Sequence, residues 1–240
     1  MATTMLTGAA TRRERGRQEM REAILAAARR LVTEEGIGAL NMRAVAREIG
    51  YSVAALYEYF PAKEDILACL YFEGAEGLAG RMRSALDALA PEATAAERLR
   101  ALGTAYRAFA HEQTELFRIC FGRPAPHAKP GGGPEGPDSA FDVLIGVAQE
   151  GIERGEFVPI PPLVLAVTAW TAVHGFVMLE LDGHFKLGPA ACGLPEDVPL
   201  MNAPSIDALF GTVMQLLMTG VRHSSGDGPR TDLPQVVAAP

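Results

Sequence analysis

The length, composition and charge of the chain exclude several classes of protein. Its 240 residues are 48% hydrophobic, which is enough apolar surface for a buried core and excludes disorder of the whole chain. Cys69, Cys120 and Cys192 are odd in number and widely spaced, which predicts no disulfide framework and favours a reducing cytoplasmic location. The first ten residues lack the basic start and the long apolar core of a secretory signal.

The net charge of −7 is unevenly distributed along the chain. Residues 1–63 contain ten Lys and Arg against seven acidic residues, a net charge of +3, whereas the remaining residues carry −10. A basic N-terminal part joined to an acidic body favours contact of the former with phosphate groups. The alternative is that the Arg and Glu residues of the first helix form ordinary surface pairs at i, i+4 spacing.

Apolar residues repeat at helical spacing along most of the chain, so the sequence predicts an all-α fold. The first helix is predicted over about 15–36, with an apolar stripe of Met20, Ile24, Ala27, Ala28 and Leu31. Residues 41–60 are typical of a helix-turn-helix, a pair of short helices whose second member enters the major groove of DNA.

Capping residues and a proline set the predicted limits of that motif. Asn41 caps its first helix, Gly50 ends that helix with a positive φ, and Ser52 caps the second helix. Pro61 closes the second helix because its ring cannot continue the hydrogen-bond ladder. The inward positions are Val45, Ala46 and Ile49 on the first helix, and Val53, Leu56 and Phe60 on the second.

The rest of the chain predicts a helical body. Helices are expected over 63–89, connecting head to body, over 95–122 as one or two segments, over 138–155, over 163–181 and over 205–222, where Ser205 is the cap. A Gly- and Pro-rich loop (122–137), an irregular segment (186–204) and a disordered tail (224–240) separate or follow them. We therefore predict a three-helix head over 15–62 and an effector-binding and dimerisation domain over 63–223.

One stretch requires a membrane span to be considered. Residues 158–179 contain no Asp, Glu, Lys or Arg and are long enough to cross a bilayer. Two prolines and several small or polar residues dilute the hydrophobicity, and a helix that is apolar on all sides can equally be covered by protein. We favour a dimer interface and no membrane, with the last helix completing an apolar hairpin.

These patterns resemble the TetR family of transcriptional regulators over about the first third of the chain. The residues that carry the resemblance are the helix around 23–36, Met42-Arg-Ala-Val-Ala46, and Leu56-Tyr-Glu-Tyr-Phe60 followed by Pro61-Ala-Lys-Glu-Asp-Ile-Leu67. The resemblance implies a homodimer formed through the last two helices, about 161–183 and 205–222. Two recognition helices in such a dimer predict a near-palindromic double-stranded DNA operator. The body's Leu, Val, Phe and Met with few charges favour a small hydrophobic effector, although the same composition describes any helical core, and no other cofactor is expected.

The second helix of the motif should face base edges with the residues at its start, which are Tyr51, Ser52, Val53, Ala54 and Ala55. The resemblance places Tyr57 and Lys63 on phosphates, and Arg43 and Arg47 lie near the same strand. No Arg, Asn or Gln, the residues that read bases best, lies between Tyr51 and Phe60. We hypothesise thymine-methyl contacts by Val53, Ala54 or Ala55, and a minor-groove arm formed by Arg12, Arg13, Arg15 and Arg17. For any one of these residues, a solvated helix surface is the alternative.

The candidate effector residues are Tyr106, Phe109, Phe117, Trp170 and His174. Trp170, His174 and Gly175 form a Trp-x-x-x-His-Gly pattern that resembles a motif in one subgroup of TetR-like C-terminal domains. Its functional interpretation is a pocket wall with an aromatic surface and one polar group. The alternative is a core tryptophan, a satisfied histidine and a glycine that permits close helix contact. His111, His184 and Cys192 could join His174 around a metal, but they have no recognised ligand spacing, so no metal is expected.

The sequence therefore predicts a ligand-responsive, sequence-specific DNA-binding regulator, a repressor that a small hydrophobic effector releases from its operator. The alternative from another class is a helical binding protein whose head serves a protein partner rather than DNA. No enzyme is expected, because the chain has no phosphate-binding Gly-rich loop after a strand, no Gly-x-Ser-x-Gly and no His-Glu-x-x-His.

Overall fold

The computed structural model describes residues 2–122, 139–185 and 205–222, with side chains from Arg12 onward in the first of these ranges. They form the helices α1 (Ala2–Glu35), α2 (Met42–Ile49), α3 (Val53–Tyr57), α4 (Lys63–Asp87), α5 (Ala95–Glu112), α6 (Thr114–Phe121), α7 (Ala140–Glu153), α8 (Pro162–Leu181) and α9 (Ile206–Val221). A 3-10 turn over Ile37–Ala39 joins α1 to α2. Within these ranges the extended pairing amounts to one isolated bridge between Phe157 and Arg222, so the all-α prediction is confirmed. Apart from Gly122, the predicted loop, irregular segment and tail lie outside the described residues.

The predicted caps are present. The Asn41 side chain accepts a hydrogen bond from the Ala44 amide at 2.9 Å, and Ser52 Oγ accepts one from the Ala55 amide at 3.1 Å. Ser205 Oγ accepts from the Ala208 amide in the same way. Gly50 ends α2 with a φ of 70°, which a residue with a Cβ adopts only with strain. Such a cap contributes about 1 kcal/mol to helix stability, so these short helices have well-defined starts.

Two helix limits differ from the prediction. α1 begins at Ala2 instead of near Arg15, and the added segment combines alanine, methionine, leucine and arginine, which favour helix, with threonine and glycine, which do not. α3 ends at Tyr57 instead of Phe60, because the residue before Pro61 is biased away from the α conformation. The chain closes instead with a turn, in which the Tyr59 and Phe60 amides both donate to the Leu56 carbonyl at 2.9 Å. Phe60 is nevertheless fully buried, as predicted.

The apolar side chains form two cores, and α4 and α6 contribute to both. The head core joins α1, α2 and α3 to Ile66, Leu67 and Leu70 at the start of α4. It also includes Leu116 and Ile119 of α6. The body core gathers the rest of α4 with α5, α7, α8 and α9, and Phe117 of α6. Since α4 and α6 contribute side chains to both cores, the packing does not separate the chain at residue 62. The domain boundary predicted there stays a prediction.

α8 and α9 leave apolar side chains at the surface. Among the described residues, α8 is the helix long and apolar enough to cross a membrane, and a third of its most apolar window is buried inside the protein. Leu163, Val167 and Leu179 of α8 are exposed, as is Leu216 of α9. No charged residue lies between Pro162 and Leu179. On α9 the charged residue is Asp207 in the first turn, and residues 208–221 carry no Asp, Glu, Lys or Arg.

Candidate DNA interface and ligand cavity

α3 presents the predicted side chains to solvent. Tyr51 is 50% exposed and Tyr57 is 49% exposed, with Ser52 and Ala54 also exposed. Val53 and Ala55 are half-buried, and Leu56 is buried as the predicted core residue. The outer face of α3 is therefore available for contact with a partner.

Two arginines of α1 fix the far end of α3. Arg21 Nη1 donates to the Tyr59 carbonyl at 2.7 Å, and its guanidinium lies 4.2 Å from the centre of the Phe60 ring. Arg17 Nη2 donates to the Glu58 carbonyl at 3.3 Å. These bonds satisfy carbonyl groups at the end of a helix, where positive charge is also favourable. α3 is thus held in place although it has only five residues.

Ser52 combines capping with a free donor. Its Oγ accepts the Ala55 amide proton, which uses one lone pair, while the hydroxyl proton remains able to donate. A serine at this position can therefore donate to a base acceptor without giving up the cap. This partly offsets the absence of Arg, Asn and Gln on α3.

Three cations surround α3. Arg43 and Arg47 are exposed on α2, and Lys63 is half-buried at the start of α4. Within the described part of the chain, none of the three forms an ion pair. Arg29 and Arg30 differ, because they pair with Glu73 and Glu48 on other helices. For Arg29 and Arg30, the alternative of ion pairs at i, i+4 spacing within α1 is therefore wrong. Each of these arginines is neutralised by a glutamate on another helix.

The proposed arm is helical in the structure. Arg12, Arg13, Arg15 and Arg17 all lie on α1 and are exposed. An extended arm is therefore not observed, and Arg17 contacts the carbonyl of Glu58. Any approach of Arg12, Arg13 or Arg15 to DNA would be made from a helix, and it stays a prediction.

The body encloses a small cavity of about 30 Å³ between α4, α5, α7, α8 and α9. Tyr106 and Trp170, two of the predicted effector residues, line it. The other lining residues are Met82, Leu99, Leu102, Gly103, Leu144, Ala169, Val173, Met214 and Leu217. A volume of this size holds about two water molecules, so a larger ligand requires side chains to move.

An aromatic cluster backs the cavity. Tyr106 Oη and His174 Nδ1 form a hydrogen bond of 2.8 Å. Burial raises the pKa of the Tyr106 hydroxyl and lowers the pKa of His174, so both side chains are neutral near pH 7. Phe117 packs edge-on against Tyr106, with ring centres 5.5 Å apart. Phe121, which was not predicted, lies 5.1 Å from the His174 ring.

Three predicted effector residues do not line the cavity. Phe109 and Phe117 are buried in the body core, and the half-buried His174 contacts Tyr106 of the wall without lining it. Phe109 packs towards Gly77 of α4. Met214 and Leu217 of α9 line the cavity, although the sequence predicts for the last helix only that it completes an apolar hairpin. Nothing local indicates that α9 closes the cavity, because this depends on a contact between distant parts of the chain.

His111, considered above as a metal ligand, belongs to an ion-pair cluster. Arg107 donates to both carboxylate oxygens of Glu180 at 2.6 and 2.8 Å, and His111 Nε2 lies 2.9 Å from Glu180 Oε2. Arg107 also pairs with Asp207 at the start of α9. The Arg107 guanidinium lowers the pKa of the Glu180 carboxyl. Within the described residues, no group of three His, Cys, Asp or Glu could hold a metal, and Cys192 lies outside them.

Sequence comparisons match both parts of the chain to known families. Residues 24–70 match the family model described as bacterial regulatory proteins of the tetR family. Residues 99–193 match the model described as a tetracyclin repressor-like C-terminal domain, and this range contains Trp170, His174 and Gly175. The two matches thus cover the head and much of the body.

Individual proteins show the same similarity. The HTH-type transcriptional regulator Rv1816 of Mycobacterium tuberculosis is 26% identical over 121 residues. That alignment covers 50% of this chain, which spans about half (51%) of the length of the relative. A solved structure of a Rhodococcus sp. RHA1 protein of unknown function is 26% identical, with a TM-score of 0.64, over 84% of this chain and 95% of that one. A TetR family transcription regulator from Marinobacter aquaeolei VT8, 21% identical with a TM-score of 0.55, shares the fold over 89% of this chain and 100% of its own.

The fold and the exposed α3 define an all-helical protein with a helix-turn-helix head. With both family models matched, the chain belongs to the TetR family of transcriptional regulators.

Proposed function

We propose that this regulator is a homodimeric repressor that binds a near-palindromic DNA operator and leaves it when a small hydrophobic effector binds the body. The observation that carries the DNA-binding part is the exposed face of α3, bordered by Arg43, Arg47 and Lys63, which have no ion-pair partner among the described residues. Unpaired cations next to an exposed recognition helix favour phosphate contacts, which supply most of the affinity for DNA.

The proposed dimer uses the exposed faces of α8 and α9. Leu163, Val167 and Leu179 on α8, and Leu216 on α9, would be unfavourable in water but are typical of the apolar centre of an interface. Gly175 and Gly211 face open space, so a partner helix could approach their backbones closely. A twofold interface of this kind would present two copies of α3 to successive major-groove faces.

The proposed release couples the cavity to the head through α4 and α6. Met82 of α4 lines the cavity, whereas Lys63 begins the same helix beside α3. Phe117 and Phe121 of α6 contact the aromatic cluster, whereas Leu116 and Ile119 pack in the head core. A ligand that binds one arrangement of these helices more tightly shifts the dimer towards that arrangement, and by no more than this difference in affinity.

The test is a gel shift with the DNA upstream of the chain's own gene. The double variant Tyr57→Ala/Lys63→Ala should lose specific binding because two phosphate contacts and the end of α3 are altered, while sedimentation still shows a dimer. Arg100→Ala, which removes an exposed cation of α5 far from α3, is the matched control and should bind as the unaltered protein does. Operator affinity that survives the double substitution would contradict the proposed DNA-binding face.

The second candidate is a head that binds a protein partner instead of DNA. It is favoured by the two exposed tyrosines, Tyr51 and Tyr57, on a helix that lacks Arg, Asn and Gln, since tyrosine is enriched at protein interfaces. The same gel shift separates the two candidates. A head that serves a protein shows no preference for the upstream DNA over an unrelated duplex at matched salt.

A further inference from the structure

Met214 occupies a notch at Gly103 in the wall of the cavity. Met214 lies on α9 and is 1% exposed, and Gly103 lies within α5. A Cβ placed on Gly103 would lie 2.9 Å from Met214 Cε and 3.0 Å from its Sδ. Glycine inside a helix costs about 1 kcal/mol relative to alanine, so it has to be compensated by packing. Here the missing side chain makes room for the end of Met214.

The cavity is too small for a ligand unless a side chain moves. Its volume is about 30 Å³, whereas benzene has been accommodated in an engineered apolar cavity of about 150 Å³. A methionine side chain can change conformation at a low free-energy cost, because it is unbranched with three rotatable bonds and its thioether tolerates varied surroundings. Of the two methionines in the wall, Met82 and Met214, the latter fills the notch at Gly103.

We propose that Met214 is a displaceable plug of the effector site, and that an uncharged, mainly apolar ring compound takes the place of its thioether beside Gly103. This inference rests on the proposed function and adds the chemical class of the ligand and the side chain that yields to it. The cavity wall contains no charged residue, so an ionised ligand would lose its hydration without gaining a partner. Trp170 and Tyr106 give the wall aromatic surface, and the Tyr106 hydroxyl is bonded to His174.

Displacement of Met214 acts on the helix that also forms the uncharged outer surface. Leu216 follows two residues after Met214 on α9 and is 67% exposed. If a ligand displaces Met214 and α9 shifts, the face of α9 that is proposed for dimer contact therefore shifts with it. In this mechanism the ligand changes the relation between subunits through α9, in addition to any path through α4 and α6.

Trp170 provides the measurement. It is the single tryptophan of the chain and lines the cavity, so its fluorescence reports occupancy without a label. The full-length protein is titrated with N-phenyl-1-naphthylamine, a neutral aromatic compound that absorbs where tryptophan emits. Met214→Ala removes the plug, and we expect it to bind the probe at least about tenfold more tightly than the unaltered protein. Met214→Leu keeps the volume but is branched and stiffer, so it should bind several-fold more weakly.

Met218 supplies the matched control. It lies one turn further along α9, is 0% exposed and is not part of the cavity wall. Met218→Ala and Met218→Leu should therefore change the probe affinity by less than about twofold. Because the leucine variants conserve volume, they test the plug even if an alanine variant fails to fold, which circular dichroism would reveal.

Two results would overturn the plug, and they differ in what else they affect. Equal changes at positions 214 and 218 would refute it while leaving the cavity as the effector site. Unquenched Trp170 in both the unaltered protein and Met214→Ala would refute the plug together with the cavity. Neither result alters the gel shift, which tests DNA binding separately.

Discussion

At the scale of single residues, the body contains a buried polar pair whose chemistry depends on pH. Tyr106 Oη and His174 Nδ1 lie 2.8 Å apart amid Phe117, Phe121 and Trp170. Tyr106 is 6% exposed, and the bond to His174 gives its buried hydroxyl a hydrogen-bond partner. This arrangement satisfies the polar atoms and keeps His174 neutral, which agrees with both the pocket-wall and the core interpretations of the sequence motif.

His174 makes the stability of the folded protein depend on pH in a definite direction. Burial lowers the pKa of His174 in the folded protein, so the unfolded chain binds the proton more tightly. Stability is therefore lost as the pH falls below about 6.5, the ordinary pKa of histidine, towards the lower pKa of the folded state. Urea unfolding at pH 7 and pH 5 should show a smaller loss for His174→Gln than for the unaltered protein. His184→Gln, at an exposed position, is the matched histidine control, and a loss for His174→Gln equal to that of the unaltered protein would contradict the assignment.

At the scale of helices, the uncharged faces of α8 and α9 predict what a charge would do. Val167 is 39% exposed in the middle of the α8 surface. In a twofold interface Val167→Arg places two like charges in an apolar contact, and each loses hydration without gaining a partner. We expect a monomer by light scattering and a large loss of operator affinity, because two linked heads bind far more tightly than one.

The control for this variant is Gln149→Arg, which adds the same charge to the exposed side of α7. That protein should remain a dimer and retain its operator affinity. A Val167→Arg protein that also stays dimeric would show that α8 is not the contact surface.

Helix starts marked by a capping side chain could be predicted from sequence, whereas the start of α1 and the contacts between helices could not. Asn41, Ser52 and Ser205 act on amides three residues away, so the signal for each cap lies within a few positions of the chain. The early end of α3 was missed because the spacing of Leu56 and Phe60 suits a helix, although Phe60 reaches the core from a turn. The bond from Arg21 to the Tyr59 carbonyl and the Met214 notch at Gly103 join distant segments, and no local pattern encodes them.

At the scale of the whole molecule, the candidate DNA face was predicted more completely than the cavity. The exposed residues of α3 follow from the period of a short helix, once its buried Leu56 is known. The cavity needs α4, α5, α7, α8 and α9 together, and its size depends on how their side chains pack. Two of the five predicted effector residues, Tyr106 and Trp170, line it, because large aromatic residues were chosen without knowledge of the direction in which each points.

Head and body are also joined by polar contacts along α6. Glu115 Oε2 accepts a hydrogen bond from the Ile37 amide at 3.3 Å, in the turn that leads into α2. Arg118 lies 3.5 Å from Glu115 and 3.7 Å from Asp182, which follows the end of α8. This series of contacts connects the start of the helix-turn-helix to a helix of the proposed dimer interface, parallel to the apolar contacts of Leu116 and Ile119.

Glu115→Ala should therefore loosen the head without disturbing the body. The Ile37 amide loses its acceptor, so its hydrogen exchange should accelerate about tenfold, corresponding to the loss of one hydrogen bond of about 1.4 kcal/mol. Trp170 fluorescence should not change, because Glu115 belongs neither to the cavity wall nor to the aromatic contacts of Trp170. Glu112→Ala, which removes an exposed carboxylate that pairs with Arg81 at the end of α5, is the matched control and should leave the Ile37 exchange rate unchanged. If both variants leave that rate unaltered, Glu115 does not hold the head, and coupling has to pass through the apolar contacts of α4 and α6.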